Sequence, residues 1–376
     1  MLQYFSGKTR DPHGLFFRRC SLQIARIYYR YTQGSTLVGM KSLVIGTTQL
    51  SFPFILAPLA GISDLPFRML NRRFGCEFAF TEMVTARALV YFNETTQRLL
   101  ATHPQDRPLG IQLLGNDSGV LRDAVDLLKS YNYTCIDFNA ACPVKKVTKR
   151  GEGASLLKAP GKIYDLLKVM VEASDVPVTV KIRAGWDTRS INAPKVALYA
   201  QDAGVGAVTV HGRTRSQGYE GSVDYGVIRS VKEALDIPVI GSGDAFSPRL
   251  IKKMLDETGC DGVAVARGAM GNPWLFNNTI EFLARGSSPG QPTLEELTAT
   301  MITHLDLCCD FYGEQSGTML FRKFFGWYTK GFLGIRKLRK EAFSTKSKDT
   351  LTAVIHQLRS ERRNPCLPGC ISISSV

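Results

Sequence analysis

The sequence contains no long uninterrupted hydrophobic run. A membrane-spanning helix needs about 18 or more consecutive apolar residues, and no stretch of the 376-residue chain approaches that length. The apolar content of 44% and the charged content of 21% are typical of a soluble globular protein. We therefore expect no membrane partner, and we predict a monomeric cytoplasmic protein.

The sequence also lacks the paired cysteine spacing that is typical of metal sites. Nine cysteines are scattered along the chain, at positions 20, 76, 135, 142, 260, 308, 309, 366 and 370. A disulfide framework is expected in short secreted chains rather than in a chain of this length. We therefore predict reduced thiols and no metal ligands.

Acidic residues are scarce at both ends of the chain. Residues 1–40 contain six Lys or Arg and one Asp, and residues 318–376 contain twelve Lys or Arg and three acids. These ends carry +5 and +9 of the net charge of +14, so residues 41–317 are neutral overall. This distribution indicates a catalytic domain beside a domain that binds a polyanion. A basic surface that only aids solubility is the alternative.

The first 40 residues are Arg-rich and acid-poor, which is typical of a transit peptide, and they lack the apolar core of a secretory signal. A new start is visible at Met40, where MKSLVIGTTQLSFPFILAPLAG predicts a short hairpin followed by a buried strand. We predict that residues 1–40 form an N-terminal extension outside the fold, with residues 1–39 arising from an upstream start codon.

Eight short apolar or β-branched runs recur along the chain, beginning near residues 54, 78, 109, 135, 178, 207, 238 and 262. The segments between them, such as SGVLRDAVDLLKSY, have apolar residues at helical spacing. This alternation predicts an α/β fold with a parallel sheet. Eight such units in about 230 residues match a (β/α)8 TIM barrel, which we place at residues 41–286. An open doubly wound sheet, the alternative, normally has fewer strands.

After residue 286 the pattern changes to helices alone. The linker GSSPGQPT ends at Thr293, which with Glu296 forms the capping-box pattern of a helix start. Three or more amphipathic segments follow without a strand pattern. We predict a basic, aromatic-rich C-terminal helical domain at residues 291–363 and an unstructured tail at residues 364–376.

Seven of the eight predicted strands end in polar side chains: Glu82, Gln112, Asn139, Lys181, His211 with Arg213, Asp244, and Arg267. In a TIM barrel the carboxyl ends of the strands form one face, so we expect these groups to converge on a single mouth. The loops after the last two strands, GSGDAF and ARGAMGNPW, have glycines that let backbone N–H groups approach an anion. With the charge of Arg267, they predict a phosphate site.

A lysine at the end of a barrel strand, here Lys181 in VKIR, is either a Schiff-base nucleophile or a fixed cation. Schiff-base sites often contain a second lysine and carboxylates, which the sequence does not clearly provide. Gln112 can hydrogen-bond a flat heterocycle, and His211 lies on the next strand. Beside a phosphate site, this set favours a fixed cation next to a flavin ring.

Cys142 directly follows the fourth predicted strand, in a loop that also contains Lys145, Lys146, Lys149 and Arg150. Neighbouring cations lower the pKa of a thiol and attract anionic substrates, so we expect a functional thiol of lowered pKa. The loop is part of the longest gap between two strands and is a candidate lid over the mouth.

Several of these segments together resemble the tRNA-dihydrouridine synthases, in particular their bacterial B-type branch: PLAGISDLPFR, TEMVTA, IQLLGND, NAACPVKKVTKRGEGASLL, VKIRAGWD, VHGRTRSQGYEG, IGSGD and ARGAMGNPWLF. The resemblance runs from about residue 52 to residue 350 and includes FRKFFGWYTKG. It implies an enzyme that reduces the C5–C6 double bond of a D-loop uridine in tRNA, with FMN as cofactor and NADPH as electron donor.

The resemblance also implies residue roles. Cys142 would give a proton to C5 while C6 receives a hydride. The cofactor would contact Pro58, Leu59, Ala60, Gln112, Lys181, His211, Ser242, Gly243, Asp244, Ala266 and Arg267. Asn139 would hold the uracil, and the tRNA would also contact a set of basic residues: Lys145, Lys146, Arg213, Arg322, Lys323, Lys330, Arg336 and Arg339.

Two other functions remain open at this point. An FMN-dependent barrel oxidoreductase for a free pyrimidine, similar to dihydroorotate dehydrogenase, explains the cysteine but leaves the basic C-terminal segment unexplained. An RNA-binding protein without catalysis leaves Cys142, Lys181 and His211 unexplained. Activity on free uridine separates the first from a tRNA enzyme, and a Cys142→Ala variant separates the second.

Overall fold

The computed structural model describes residues 42–91 and 94–361. The predicted N-terminal extension and the predicted tail lie outside these residues. A helix ends at Arg285 and the next helix begins at Leu294. The domain boundaries that we placed at residues 286 and 291 stay predictions.

A two-stranded hairpin precedes the barrel, as predicted. Strands β1 (Leu43–Ile45) and β2 (Thr48–Leu50) pair antiparallel. The buried Leu43 belongs to the same hydrophobic cluster as Phe78, and a Cβ built on Gly262 would lie 2.7 Å from a Leu43 methyl carbon. Because Phe78 and Gly262 lie where two barrel strands begin, the hairpin covers the end of the barrel opposite the mouth.

All eight runs that were predicted as strands form one closed parallel barrel. The strands are β3 (Phe54–Leu56), β4 (Ala79–Thr85), β5 (Leu109–Leu114), β6 (Cys135–Asn139), β7 (Val178–Arg183), β8 (Ala207–His211), β9 (Val239–Ser242) and β10 (Gly262–Val265). Each strand pairs with the next, and β10 pairs with β3. Helices cover the outside and side chains fill the inside, which explains the continuous apolar runs. The TIM-barrel prediction is confirmed.

Helices connect the strands around the barrel. They are α1 (Leu65–Arg73), α2 (Ala86–Val90), α3 (Glu94–Leu99), α4 (Ser118–Leu128), α5 (Lys145–Thr148), α6 (Pro160–Ala173), α7 (Ala193–Asp202), α8 (Tyr225–Ala234), α9 (Pro248–Thr258) and α10 (Leu275–Arg285). The side chains of Asp64, Asp117 and Asp224 cap three of them by accepting a backbone N–H three residues later. Two short 3-10 helices in barrel loops lie at Gly153–Lys158 and Arg267–Ala269, and a third lies at Leu358–Ser360 after the last helix of the described residues.

The C-terminal region is helical, as predicted. It contains α11 (Leu294–Tyr312), α12 (Glu314–Tyr328), α13 (Arg336–Ser344) and α14 (Lys348–Gln357). The capping box of Thr293 and Glu296 is formed, with both reciprocal hydrogen bonds present. Within the described residues, no helix combines the length and the apolar character that crossing a membrane requires.

The helical region packs directly against the barrel. The buried His304 ring lies 6.1 Å from the Phe67 ring of α1 and 4.2 Å from the Phe324 ring, centroid to centroid. Gly271, after β10, has φ of +66°, and a Cβ there would lie 2.6 Å from the carbonyl carbon of Trp327. Only glycine permits this approach, so the end of α12 is held close to the last barrel loop.

Candidate active site

The strand register brings the predicted polar residues to one end of the barrel. Asn139 is paired with Lys181 in the register of β6 and β7. His211 is paired with Ser242 in the register of β8 and β9. Gln112 lies one strand before Asn139, and the two side chains are in direct contact. The barrel mouth therefore unites residues that are far apart in sequence, as a parallel barrel requires.

A chain of hydrogen bonds links β5 and β6 with the loop of Cys142 beneath the mouth. The Gln112 Nε2 donates to Asp137 Oδ2 at 2.6 Å, and Asn139 Nδ2 donates to Gln112 Oε1 at 2.7 Å. Asn139 Oδ1 accepts the backbone N–H groups of Ala141 at 3.0 Å and Cys142 at 2.8 Å. Our sequence reasoning missed Asp137, although an acidic residue inside the buried run CIDFNAA was a usable signal.

Lys181 and His211 supply polar atoms that form no hydrogen bond with another described group. The Lys181 Nζ and the His211 Nε2 are buried and have no hydrogen-bond partner among the described residues. Burial, reinforced by the Arg183 guanidinium, lowers the pKa of Lys181 to about 8. Burial and then the charge of Lys181 lower the pKa of His211 well below its usual value, so its imidazole is neutral.

Arg183 is a second residue that sequence reasoning missed. It lies two residues after Lys181 on β7 and is 2% exposed. Its guanidinium donates to backbone carbonyls in the loops after β6 and β8. Its Nε donates to Ala141 O at 2.8 Å, and its Nη1 donates to Thr214 O at 3.0 Å and Gly218 O at 2.7 Å. The guanidinium therefore fixes the Cys142 loop relative to the loop after β8.

Cys142 lies in a partly buried and well-defined loop. Its carbonyl oxygen accepts the Ala154 N–H at 3.0 Å. A Cβ built on Gly153, whose φ is +59°, would lie 2.8 Å from that oxygen. The predicted lowering of the thiol pKa is wrong. Burial raises the pKa of Cys142, and the nearby guanidiniums of Arg183 and Arg150 offset only part of the rise.

The three lysines of this loop do not determine the direction in which the pKa of the Cys142 thiol shifts. Lys145, Lys146 and Lys149 are exposed to solvent, and none of them is among the main groups that shift the pKa of Cys142. Solvent screens exposed charges strongly, so the desolvation of the thiol decides the direction of its shift. Lys145 and Lys146 stay predicted contacts to tRNA.

An ion-pair cluster occupies the other side of the mouth. Arg213 is fully buried, and its Nη2 donates to Asp244 Oδ2 at 2.5 Å. Arg267 Nη2 contacts the other oxygen, Asp244 Oδ1, at 3.2 Å. Asp244 has φ of +50° and Gly243 has φ of +125°, so the chain turns sharply after Ser242. One carboxylate faces two guanidiniums, which leaves an excess of positive charge beside the predicted phosphate loops.

The loop of Pro58, Leu59 and Ala60 is held from two directions at Gly61. The Glu82 carboxylate accepts the Gly61 N–H, and Lys323 donates its ammonium to the Gly61 carbonyl oxygen. Lys323 belongs to α12, so the helical region contacts the loop that is predicted to lie beside the cofactor ring. Ala266, also predicted at the cofactor, is partly exposed and precedes the 3-10 helix of Arg267.

Tyr219 is a third residue that was not identified in advance. Its side chain is 51% exposed, and its ring centroid lies 6.3 Å from that of His211. The Arg183 and Arg267 guanidiniums lie 5.4 Å and 5.0 Å from the ring centroid. In the sequence, the motif HGRTRSQGYEG indicated a site through its basic residues. The structure shows that it also places an exposed aromatic ring at the mouth.

The predicted basic residues of the helical region fall into two groups. Arg322 donates to the Thr345 carbonyl, and Arg339 Nη2 donates to the Thr329 carbonyl at 2.8 Å. These two therefore help to pack the helices. Lys330 and Arg336 are exposed. Exposed cations are those that can reach RNA phosphates without breaking internal contacts.

Comparison with known proteins gives consistent similarities. The model of the dihydrouridine synthase (Dus) family matches residues 55–361. The tRNA-dihydrouridine synthase B of Pseudomonas aeruginosa is 36% identical over 86% of this chain and 98% of its own length. That of Vibrio parahaemolyticus is 38% identical over 76% of this chain and 89% of its own length.

One further relative and one solved structure are also similar to this chain. The probable tRNA-dihydrouridine synthase of Rickettsia conorii is 37% identical over 81% of this chain and 94% of its own length. Among solved structures, the 6-hydroxypseudooxynicotine amine oxidase (HisD) of Pseudomonas geniculata aligns with a TM-score of 0.51 and 15% identity. The alignment covers 69% of this chain and 52% of that chain, and it shows similarity of fold alone.

Proposed function

This chain belongs to the dihydrouridine synthase family, and we propose that it reduces the C5–C6 double bond of a D-loop uridine in tRNA, with FMN as its cofactor and NADPH as its electron donor. The observation that carries the proposal is the position of Cys142. Its loop is tied through Asn139 to a mouth that contains two buried polar atoms, Lys181 Nζ and His211 Nε2, which have no hydrogen-bond partner in the part of the chain that the structure describes.

The residues of the mouth fit a flavin mononucleotide. Buried polar groups normally find a partner, so Lys181 Nζ and His211 Nε2 indicate a polar ligand that completes their hydrogen bonds. The glycine turn at Gly243 and the cations Arg213 and Arg267 suit a phosphate. When bound, FMN would supply the hydride transfer that amino-acid side chains cannot perform.

Lys181 and Cys142 would have distinct tasks in the reaction. The ammonium of Lys181 would stabilise negative charge on the ring system that lies against it, in a desolvated site where such an interaction is strong. The Sγ–H of Cys142 would deliver a proton to C5 as C6 receives the hydride, and the thiolate would then take a proton from solvent. A raised thiol pKa keeps this proton in place at neutral pH.

The tRNA would be held outside the mouth while one base enters it. A uridine in folded tRNA must be unstacked before it can reach the mouth. The exposed Tyr219 ring offers a stacking surface, and the buried Asn139 and Arg213 would contact the base that enters the mouth. The exposed Lys145, Lys146, Lys330 and Arg336 would contact phosphates.

Mass spectrometry of nucleosides tests this proposal directly. Unmodified tRNA is incubated with the purified protein, FMN and NADPH, and the wild type is compared with Cys142→Ala. We expect a two-mass-unit gain on uridine with the wild type, and a rate at least about 100-fold lower in the variant. Flavin content serves as the control for folding.

A different result would favour the free-pyrimidine alternative. If the flavin-loaded wild type modifies no tRNA but reduces a free pyrimidine, tRNA is not its substrate. Equal product from the wild type and Cys142→Ala would exclude the thiol as the proton donor while leaving the tRNA activity in place.

A further inference from the structure

Asp137 is a buried carboxylate to which the proposed reaction gives no task. It lies in the middle of β6 and is 2% exposed. Its Oδ2 accepts from Gln112 Nε2 at 2.6 Å, and its Oδ1 accepts from Thr179 Oγ1 at 2.7 Å. An ionised group in a barrel interior is costly, so its presence calls for a reason beyond packing.

The hydrogen bonds that begin at Asp137 end at the loop of Cys142. Gln112 donates to the carboxylate and accepts from Asn139 at 2.7 Å. Asn139 in turn accepts the N–H groups of Ala141 and Cys142. Two side-chain amides thus connect a carboxylate on β6 with the backbone of the proposed proton donor.

The hydrogen-bonding groups at the two ends of this series of hydrogen bonds allow only one orientation of the two amides between them. An ionised carboxylate can only accept hydrogen bonds, so Gln112 must turn its amino group toward Asp137 and its oxygen toward Asn139. Asn139 must then turn its amino group toward Gln112 and its oxygen toward the two backbone N–H groups. These N–H groups can only donate, so both ends enforce the same orientation of both amides.

This direction decides what the mouth offers to a ligand. Each amide nitrogen carries two hydrogens, and each uses one in the chain, so one N–H of Gln112 and one of Asn139 remain. Together with Lys181 Nζ they form a set of hydrogen-bond donors, and neither amide turns its oxygen toward the ligand. Donors match the carbonyl oxygens of a flavin ring at Gln112 and Lys181, and those of a uracil at Asn139, where they oppose the amino group of a cytosine.

We propose that Asp137 is a positioning residue of this site, which fixes both amides as donors toward the mouth and holds the loop of Cys142 through Asn139. The inference rests on the proposed function for its substrate, whereas the geometry of the chain is independent of it.

Ionisation of Asp137 is required for this role. Burial raises its pKa to about 6. The charged or titratable groups that act on it are Lys181 on β7, which favours the carboxylate, and Cys135 on β6, whose own pKa it raises. Below a pH of about 6 the protonated acid can also donate, so Gln112 is held in its orientation only from the Asn139 end, and turnover should fall.

Asp137→Asn tests the role, because it keeps the shape and removes the acceptor-only character. We expect full flavin loading, a kcat lower by about tenfold or more, and loss of the acid limb near pH 6 from the kcat profile. We also expect alkylation of Cys142 by iodoacetamide, followed by peptide mass spectrometry, to become several-fold faster because its loop is held less firmly. A residue that only supports the fold would not move the acid limb.

Thr179→Val is the matched control, since it removes the other hydrogen bond to Asp137 and leaves the bond to Gln112. We expect its kcat to stay within about threefold of the wild type and its acid limb to remain. An unchanged pH profile and an unchanged alkylation rate in Asp137→Asn would overturn the inference. If the wild type makes no dihydrouridine, the proposed function fails, and the alkylation rates alone decide the role of Asp137.

Discussion

The two sides of the barrel mouth differ in whether their cationic side chains are hydrogen-bonded to a carboxylate. The amide side, formed by Gln112, Asn139 and Lys181 on β5 to β7, presents neutral donors and a buried ammonium without a partner among the described residues. The arginine side, formed by Arg213 and Arg267 around Asp244, presents cations that are already paired.

This difference indicates two kinds of ligand group. A desolvated ammonium without a hydrogen-bond partner among the described residues binds strongly to charge that develops during a reaction, because no carboxylate of these residues is hydrogen-bonded to it. Paired guanidiniums beside a glycine turn form a rigid site with a moderate positive excess, which suits a phosphate that is always charged. We therefore propose that the reacting ring lies on the amide side and the phosphate on the arginine side.

The largest effect is expected from Lys181→Met on the amide side. Removing the ammonium should lower the rate of tRNA reduction by about 100-fold. Since Lys181 has no hydrogen-bond partner within the described part of the chain, the flavin-free variant should melt no lower than the wild type. Stopped-flow absorbance of the flavin and thermal unfolding measure the two effects. A large drop in Tm would show that Lys181 is structural.

A smaller and more selective effect is expected from Arg267→Gln on the arginine side. The Kd for FMN should rise about tenfold through loss of a charge-assisted contact to the phosphate. The Kd for riboflavin, which lacks the phosphate, should not change. Fluorescence quenching on titration of each flavin measures both constants. An equal rise for both flavins would place Arg267 at the ring and break the distinction between the two sides.

A weaker effect is expected from the exposed cations of the helical region. The double variant Lys330→Gln and Arg336→Gln should raise the KM for tRNA several-fold and reduce the slope of log affinity against log salt by about one to two. Lys252→Gln and Lys253→Gln on α9 provide a control with the same charge change. If the control raises the KM equally, net charge alone governs tRNA affinity.

The smallest effect concerns the ionisation of Cys142 itself. Its raised pKa means that the thiol, not the thiolate, dominates at neutral pH. Alkylation by iodoacetamide should therefore be slow at pH 7 and should still increase as the pH passes 9. Peptide mass spectrometry over pH 6 to 10 gives this profile. A plateau near pH 7 would indicate a lowered pKa and a different role for the thiol.

The sequence predicted much of the architecture because local patterns carry that information. Eight apolar runs alternated with amphipathic segments, and each became a strand of the barrel. Thr293 and Glu296 marked a helix start three residues apart, which is a local interaction. Cys142, Lys181 and His211 were found for the same reason, since polar residues that end barrel strands point to the mouth.

The partners of these residues could not be predicted in the same way. Lys181 and Arg183 stand two residues apart on one strand, yet one has no hydrogen-bond partner among the described residues and the other donates to three carbonyls. Lys323 belonged to a basic cluster in the sequence, and the fold directs it to a carbonyl of a barrel loop. Such contacts join segments separated by tens to hundreds of residues.

The sequence by itself determined the barrel, the helical C-terminal region and the residue types at the mouth, because hydrophobic periodicity and strand ends are local properties. Only the tertiary structure decided how those residues are protonated and oriented. Burial raised the pKa of Cys142 against the prediction from its charged neighbours. Asp137 gained its place through a hydrogen-bond chain across three strands. Desolvation and the direction of hydrogen bonds depend on which groups folding brings close together. The order of residues along the chain does not specify those neighbours.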